Sequence, residues 1–144
     1  MPENFRYIKR ASERLDRQNQ TMPSKKASRY GSRAEKKLAA EYGLLTEGVH
    51  ESWKDAEFKN GVPVEIKAAK YELGYFQIYK TYHEKIKKAG GYYGFVVYKP
   101  WGTGIRVLST KMTKPRRVPV RRWSPTNHAD RQSEKARIPF EDVF

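Results

Sequence analysis

The chain has 144 residues, enough for one domain of ordinary size, and is 38% hydrophobic and 13% aromatic. Thirty Lys and Arg against sixteen Asp and Glu give a net charge of +14. That charge points to a polyanionic partner, nucleic acid before any membrane surface, since no basic helix with a broad apolar face is visible. The absence of cysteine excludes disulfides and thiolate metal sites. No apolar run is long enough for a membrane span or a signal peptide, so a soluble, intracellular, cytoplasmic protein is expected.

The charge is unevenly spread. Residues 1–30 carry eight basic and three acidic side chains, residues 111–144 nine and four, and residues 31–110 thirteen and nine. The middle holds the folding pattern and most of the acids. This predicts a partly helical basic N-terminal extension over 1–30, a core over 31–110, and a basic, Pro/Arg-rich C-terminal extension over 111–144.

Residues 3–20 carry a thin apolar stripe of helical spacing, Phe5, Ile8 and Leu15 with Ala11. It is too narrow to bury much alone, which leaves three fates: packing on a neighbouring element, packing on a second subunit in a homodimer, or remaining largely free. Residues 21–31 read as a flexible basic linker. Ser32 followed by Glu35 has the form of a capping box, which predicts a helix over 32–42 stopped by Gly43, with Ala34, Leu38, Ala39 and Tyr42 inward. Glu35 has two readings: the cap itself, or a carboxylate projecting toward the strands that follow. Residues 44–51 suit a first strand, although Gly48 weakens it.

Residues 52–69 read as a hairpin around Lys59-Asn60-Gly61. Val62, Val64, Ile66 and Ala68 alternate with Pro63, Glu65, Lys67 and Ala69, the period of a half-buried strand. The loop length decides the chemistry. A two-residue turn pairs 59 with 62 and sets Asp55 opposite Ile66. A three-residue loop with Gly61 in the left-handed region pairs 58 with 62 and sets Asp55 opposite Glu65. In that second register Asp55, Glu65 and Lys67 share one face. Two facing carboxylates repel unless a hard cation sits between them, and Mg²⁺ takes one or two carboxylates with waters and phosphate. A lysine two residues on points the same way and can stabilise charge on a phosphoryl oxygen. The set suits metal-assisted phosphodiester hydrolysis. The bland alternative is a solvated strand face with cross-strand ion pairs.

A helix is predicted from Tyr75 to Ala89, with Tyr75, Ile78, Tyr79, Tyr82, Ile86 and Ala89 at helical spacing, stopped by Gly90-Gly91. Residues 92–98 form a nearly continuous apolar strand, and Ile105–Leu108 another beyond a Gly-rich turn. Residues 111–125 hold three prolines, which exclude a helix, and the paired Arg116, Arg117, Arg121 and Arg122, which suit a phosphate-tracking strip. Trp123 would anchor this tail or stack on a base. The terminal Ile-Pro-Phe-Glu-Asp-Val-Phe would dock on the domain or on a partner. The histidines His50, His83 and His128 are too scattered for a zinc site.

This ordered set resembles the PD-(D/E)XK nuclease superfamily, and within it the archaeal Holliday-junction resolvases. The resemblance rests on Gly31-Ser32-Arg33-Ala34-Glu35-Lys36, Asp55, Glu65-Ile66-Lys67, Gln77 at the start of the second helix, and Gly90-Gly91 before an apolar strand. The proline usual before the Asp is Lys54 here, and Glu57 stands on the same face as a substitute. The likeness covers about residues 31–110. It implies an α/β, restriction-endonuclease-like αβββαβ core with a mixed central sheet flanked by helices. It also implies an endonuclease that hydrolyses DNA, branched DNA included, in recombination or repair. Asp55, Glu65 and the Ile66 carbonyl would hold Mg²⁺ or Mn²⁺ with Glu35 assisting, Lys67 would orient water and Gln77 would steady the site. Arg33, Lys36 and Lys70 would add nucleic-acid contacts to those of the arginine strip. Two rivals remain: a non-catalytic nucleic-acid-binding protein, and a same-fold nuclease for other DNA, by restriction or nicking, or for RNA. A pure binder gains nothing from acids that repel phosphate when no cation intervenes.

Overall fold

The computed structural model describes residues 25–49, 51–125 and 134–144, with the backbone alone for 25–28. The helix expected over 3–20 lies outside the described residues. The elements in order are α1 (Lys25–Glu41), β1 (Ala56–Glu57), β2 (Pro63–Lys70), β3 (Tyr75–Tyr79), α2 (Lys80–Lys88), β4 (Tyr92–Trp101) and β5 (Gly104–Thr113). A 3-10 turn (Pro115–Arg117), β6 (Lys135–Pro139) and α3 (Phe140–Val143) complete the chain. The central sheet has the order β1-β2-β4-β5 and is mixed: β2 and β4 run parallel, the outer pairs antiparallel. A parallel pair needs a crossover, and β3 with α2 supplies it. A second, two-stranded sheet joins β3 to β6.

Each face of the central sheet buries its own apolar cluster. Tyr30, Ala34 and Leu38 of α1, spaced four residues apart, pack on Val64, Ile66, Val96 and Tyr98. The opposite face carries Phe95 and Val97, covered by Phe76, Ile78, Ile86, Ile138 and Phe140. The start of β4 is fixed by Gly91, where a Cβ would stand 2.6 Å from the Pro63 carbonyl oxygen. Any side chain there would push β4 off β2.

Four sequence expectations change. First, α1 begins at Lys25, so Ser32 is mid-helix and caps nothing. Tyr30 is buried and extends the inward stripe by a turn, which makes residues 25–31 helix rather than linker. Second, residues 44–49 form no strand. Leu45 is half exposed and makes a single antiparallel bridge to Glu57 before the chain turns. Third, the helix expected from Tyr75 is β3 followed by α2. Phe76 and Ile78 are fully buried while Tyr75, Gln77 and Tyr79 are half-buried, a period of two that aromatic residues favour. Fourth, the segment set apart as a C-terminal extension supplies core. β5 runs to Thr113, Trp123 packs against the second cluster with its ring 5.5 Å from His83, and β6 pairs along the whole of β3. Among the described residues no helix is long and apolar enough to cross a membrane.

Phe140 makes this last point testable. Its ring lies 4.9 Å from that of Phe76, which in turn lies 4.6 Å from Phe95 on the central sheet. Phe140→Ala should cost about 3–5 kcal/mol of unfolding free energy, read from denaturant titration. A loss below ~1 kcal/mol would mean the C-terminal segment is dispensable to the core.

Candidate active site

The turn Lys59-Asn60-Gly61 adopts the three-residue form. Gly61 has φ 87°, the Gly61 N–H donates to the Phe58 carbonyl at 2.8 Å, and the Phe58 N–H donates to the Val62 carbonyl at 2.9 Å. The ladder pairs Ala56 with Val64 and Glu57 with Pro63. Asp55 lies one residue before the paired strand. The Asp55 N–H still donates to the Val64 carbonyl at 2.9 Å. Its side chain then takes the place of a ladder carbonyl: Oδ2 accepts the Ile66 N–H at 2.8 Å. One bond therefore ends β1 and aims the carboxylate along β2.

Glu65 is 5% exposed, in the middle of β2. Its Oε1 pairs with Lys67 Nζ at 3.1 Å, while its Oε2 is buried with no hydrogen-bond partner. Burial pushes its carboxyl up to about 7; Lys67 opposes the rise and Asp55 and Glu35 add to it. Glu35 sits on α1 next to the buried Ala34. Burial pushes it up to about 7 as well, with Asp55 adding and Lys67 opposing. Asp55 is exposed as a residue, yet partial desolvation of its carboxyl raises it, against the Ile66 bond and Lys67. Three acids and one lysine, from α1, the β1 end and β2, thus share one local field.

Gln77 lies in mid β3, paired with Arg137 rather than opening a helix. It reaches the group indirectly: its Nε2 donates to the Tyr79 hydroxyl at 3.2 Å, and Lys67 Nζ stands 5.9 Å from the Tyr79 ring. Tyr79 was not singled out in the sequence because the stretch reads as helix; its alternation with Gln77 and Tyr75 was the available signal. Glu57 is engaged by Lys54 at 2.8 Å. Lys70 falls on the α1 side of β2, by alternation from Lys67. Arg33 donates to the Thr103 carbonyl, and Lys36 is exposed on α1. Arg116, Arg117, Arg121 and Arg122 are exposed on the turn and the strand-free stretch after it, with Arg121 3.7 Å from Asp142.

Among the described residues no three acidic or imidazole side chains form a preassembled metal cage. The donors do suit a hard cation that keeps most of its waters: the Asp55 carboxylate, held on the Ile66 N–H, shares one field with Glu65, one oxygen of which is buried and unsatisfied. An orphaned buried carboxylate oxygen is costly, and a divalent cation is the partner that removes the cost without leaving repulsion behind.

The raised Glu65 carboxyl gives a pH signature in the metal-free protein. The folded state holds the proton where the unfolded chain, near 4.5, has released it. That stabilisation is complete below the unfolded value and is lost as pH rises through about 7. His83, pushed down by burial, works in the opposite direction, so a difference is the clean measurement. In EDTA, the unfolding free energy of the wild type relative to Glu65→Gln should fall between pH 4.5 and about 7. Parallel curves would show an ordinary carboxyl.

A family model described as PD-(D/E)XK nuclease superfamily domain matches residues 21–144, which takes in α1, both sheets and α3. Comparison with curated proteins and with solved structures gives no match. A mixed four-stranded sheet flanked by helices is the restriction-endonuclease-like architecture, and nucleases of this superfamily typically use divalent metals. Asp55 and Glu65-x-Lys67 lie within the residues of that match, which covers most of the chain: the chain belongs to the PD-(D/E)XK nuclease superfamily.

Proposed function

We propose that the protein is a metal-dependent endonuclease that hydrolyses DNA phosphodiester bonds, with branched DNA such as a four-way junction among its substrates. The observation that carries this is the buried, unpartnered Glu65 Oε2, in the field of Asp55 and beside Lys67 in a protein of net charge +14. Asp55, Glu65 and the Ile66 carbonyl would hold Mg²⁺ or Mn²⁺, with Glu35 assisting. Such a cation, when bound, polarises the phosphodiester and activates water. Lys67 does its part as a fixed cation, aimed by its Glu65 contact, that orients the attacking water and offsets charge on the phosphoryl oxygens. Gln77 steadies Lys67 through Tyr79. Glu35 is no longer needed as a helix cap, since Ser32 lies inside α1, and its coupling to Asp55 and Lys67 supports a role at the centre. Arg116, Arg117, Arg121 and Arg122, with Arg33, Lys36 and Lys70, are proposed to meet phosphates, which sets register and salt dependence without reading sequence.

The test is incubation with linear duplex, single strands, a four-way junction and RNA, each in Mg²⁺ and in EDTA. Cleavage of DNA in Mg²⁺ alone is expected; RNA-only cleavage would move the substrate, and cleavage that persists in EDTA would sink the metal mechanism.

Substitutions separate the roles. Asp55→Asn and Glu65→Gln should each abolish cleavage while binding holds or tightens, because one repelling charge is lost near phosphate. Lys67→Ala should slow cleavage by ~100- to 1000-fold. Wild-type rates in Glu65→Gln would refute the assignment. Replacing Arg116 and Arg117 together by Gln should weaken binding and reduce its salt slope by about 2. An unchanged slope would remove this turn from the interface.

A further inference from the structure

The hairpin between β4 and β5 carries a feature that the catalytic group does not use. Trp101, at its tip, is 61% exposed, the most exposed large apolar residue among the described residues. Two cations lie over its ring, Lys99 Nζ at 5.1 Å and Arg106 Cζ at 5.6 Å from the centroid. Lys99 and Arg106 are also direct partners across the ladder. Like charges in that position destabilise a hairpin, and among the described residues no carboxylate lies within ion-pair distance of either. The tip is held in place all the same, because Arg33 of α1 donates to the Thr103 carbonyl in the turn. Beside the ring an open groove of about 780 Å³ runs between β5 and α1, with Lys37 on its wall.

An exposed indole is a flat apolar surface with two uses: the part of its face that solvent reaches stacks, and the cations held over the ring attract an anion. A nucleotide with its base unpaired meets both demands, the base on the ring and the phosphate on Lys99 and Arg106. A base inside a duplex is already stacked on both sides and presents no free face. The hairpin tip is tied by Arg33 to α1, and Glu35 of the catalytic group is two residues further along that helix.

We propose that Trp101, with Lys99 and Arg106, is a stacking platform for an unpaired nucleobase, so that the preferred substrate has a single-stranded segment at a branch, flap or end. This rests on the nuclease proposed above for its substrate and deepens it by naming the structural class of that substrate.

The experiment uses the full chain in EDTA, where nothing is cleaved, with fluorescently labelled single-stranded DNA, a flapped duplex and a blunt duplex of equal length. Anisotropy titrations of the wild type, Trp101→Ala and Trp101→Phe give the affinities. Trp101→Ala should weaken single-strand and flap binding by about 5- to 150-fold, the range for loss of one stacked base, and leave blunt duplex within about twofold. Trp101→Phe should restore most of the loss, which a change in folding would not do. Equal affinity of wild type and Trp101→Ala for single strands, or an equal loss on all three DNAs, overturns the platform. So does sedimentation showing that Trp101→Ala changes the oligomeric state, since the tip would then be a contact between copies of the chain. The two proposals fail separately. Trp101-dependent single-strand binding by a protein that cleaves nothing in Mg²⁺ supports the platform and refutes the nuclease. Cleavage in Mg²⁺ together with Trp101-independent binding refutes the platform alone.

Discussion

The pairing of Phe58 with Val62 across a three-residue loop governs what the central sheet can do. Strand side chains alternate, so a shift by one would take Asp55 away from the Ile66 N–H that holds its carboxylate beside Glu65. The left-handed Gly61 permits the loop, and the loop then lets Asp55 replace a ladder carbonyl for the Ile66 N–H. A carboxylate used as a backbone partner is held firmly, since its bond to an amide in a half-buried setting is charge-assisted. Local backbone geometry, more than any long-range contact, positions the acids.

Around that hairpin the fold divides its duties between two faces. α1 closes one face by the stripe Tyr30, Ala34 and Leu38, and the same helix brings Glu35 into the field of Asp55 and Lys67. The other face, where Glu65 and Lys67 lie, is closed by β3, α2 and β6. Burial is the first cause of the upward shift at all three acids, and their mutual repulsion adds to it at Glu35 and Glu65. The single nearby lysine moderates that tension without removing it. Acids that share burial and repulsion in this way mark a candidate functional site.

Much of this was legible in the sequence because its signals are local. The alternation in 62–69, the Asn-Gly loop and the Gly90-Gly91 stop act within a few residues, and each element they specify is present. The misread stretches are those where tertiary partners decide. Ser32 and Glu35 have the form of a capping box, yet Tyr30 finds a buried place against the sheet and the helix continues through them. Tyr75–Tyr79 fits helical spacing as well as alternation, and only β6, far along the chain, resolves it as a strand. Lys135–Pro139 carries just Ala136 and Ile138 inward, too short a pattern to outweigh the surrounding basic residues. Of the candidate site, the hairpin members were readable from register, whereas Gln77's connection through Tyr79 depends on where β3 lies.

The pairing of β3 with β6 bears on how the molecule is made. Phe76 and Ile78 leave the ribosome long before Ala136 and Ile138, their partners across the ladder. Through that interval β2, β4 and β5 can pair, but the face bearing Glu65 and Lys67 has no second sheet over it, and Phe95 stays wet. Non-local closure of this kind is slow and comes late. The face bearing Glu65 and Lys67 therefore gains its full cover only when residues 134–144 are present to pair with β3.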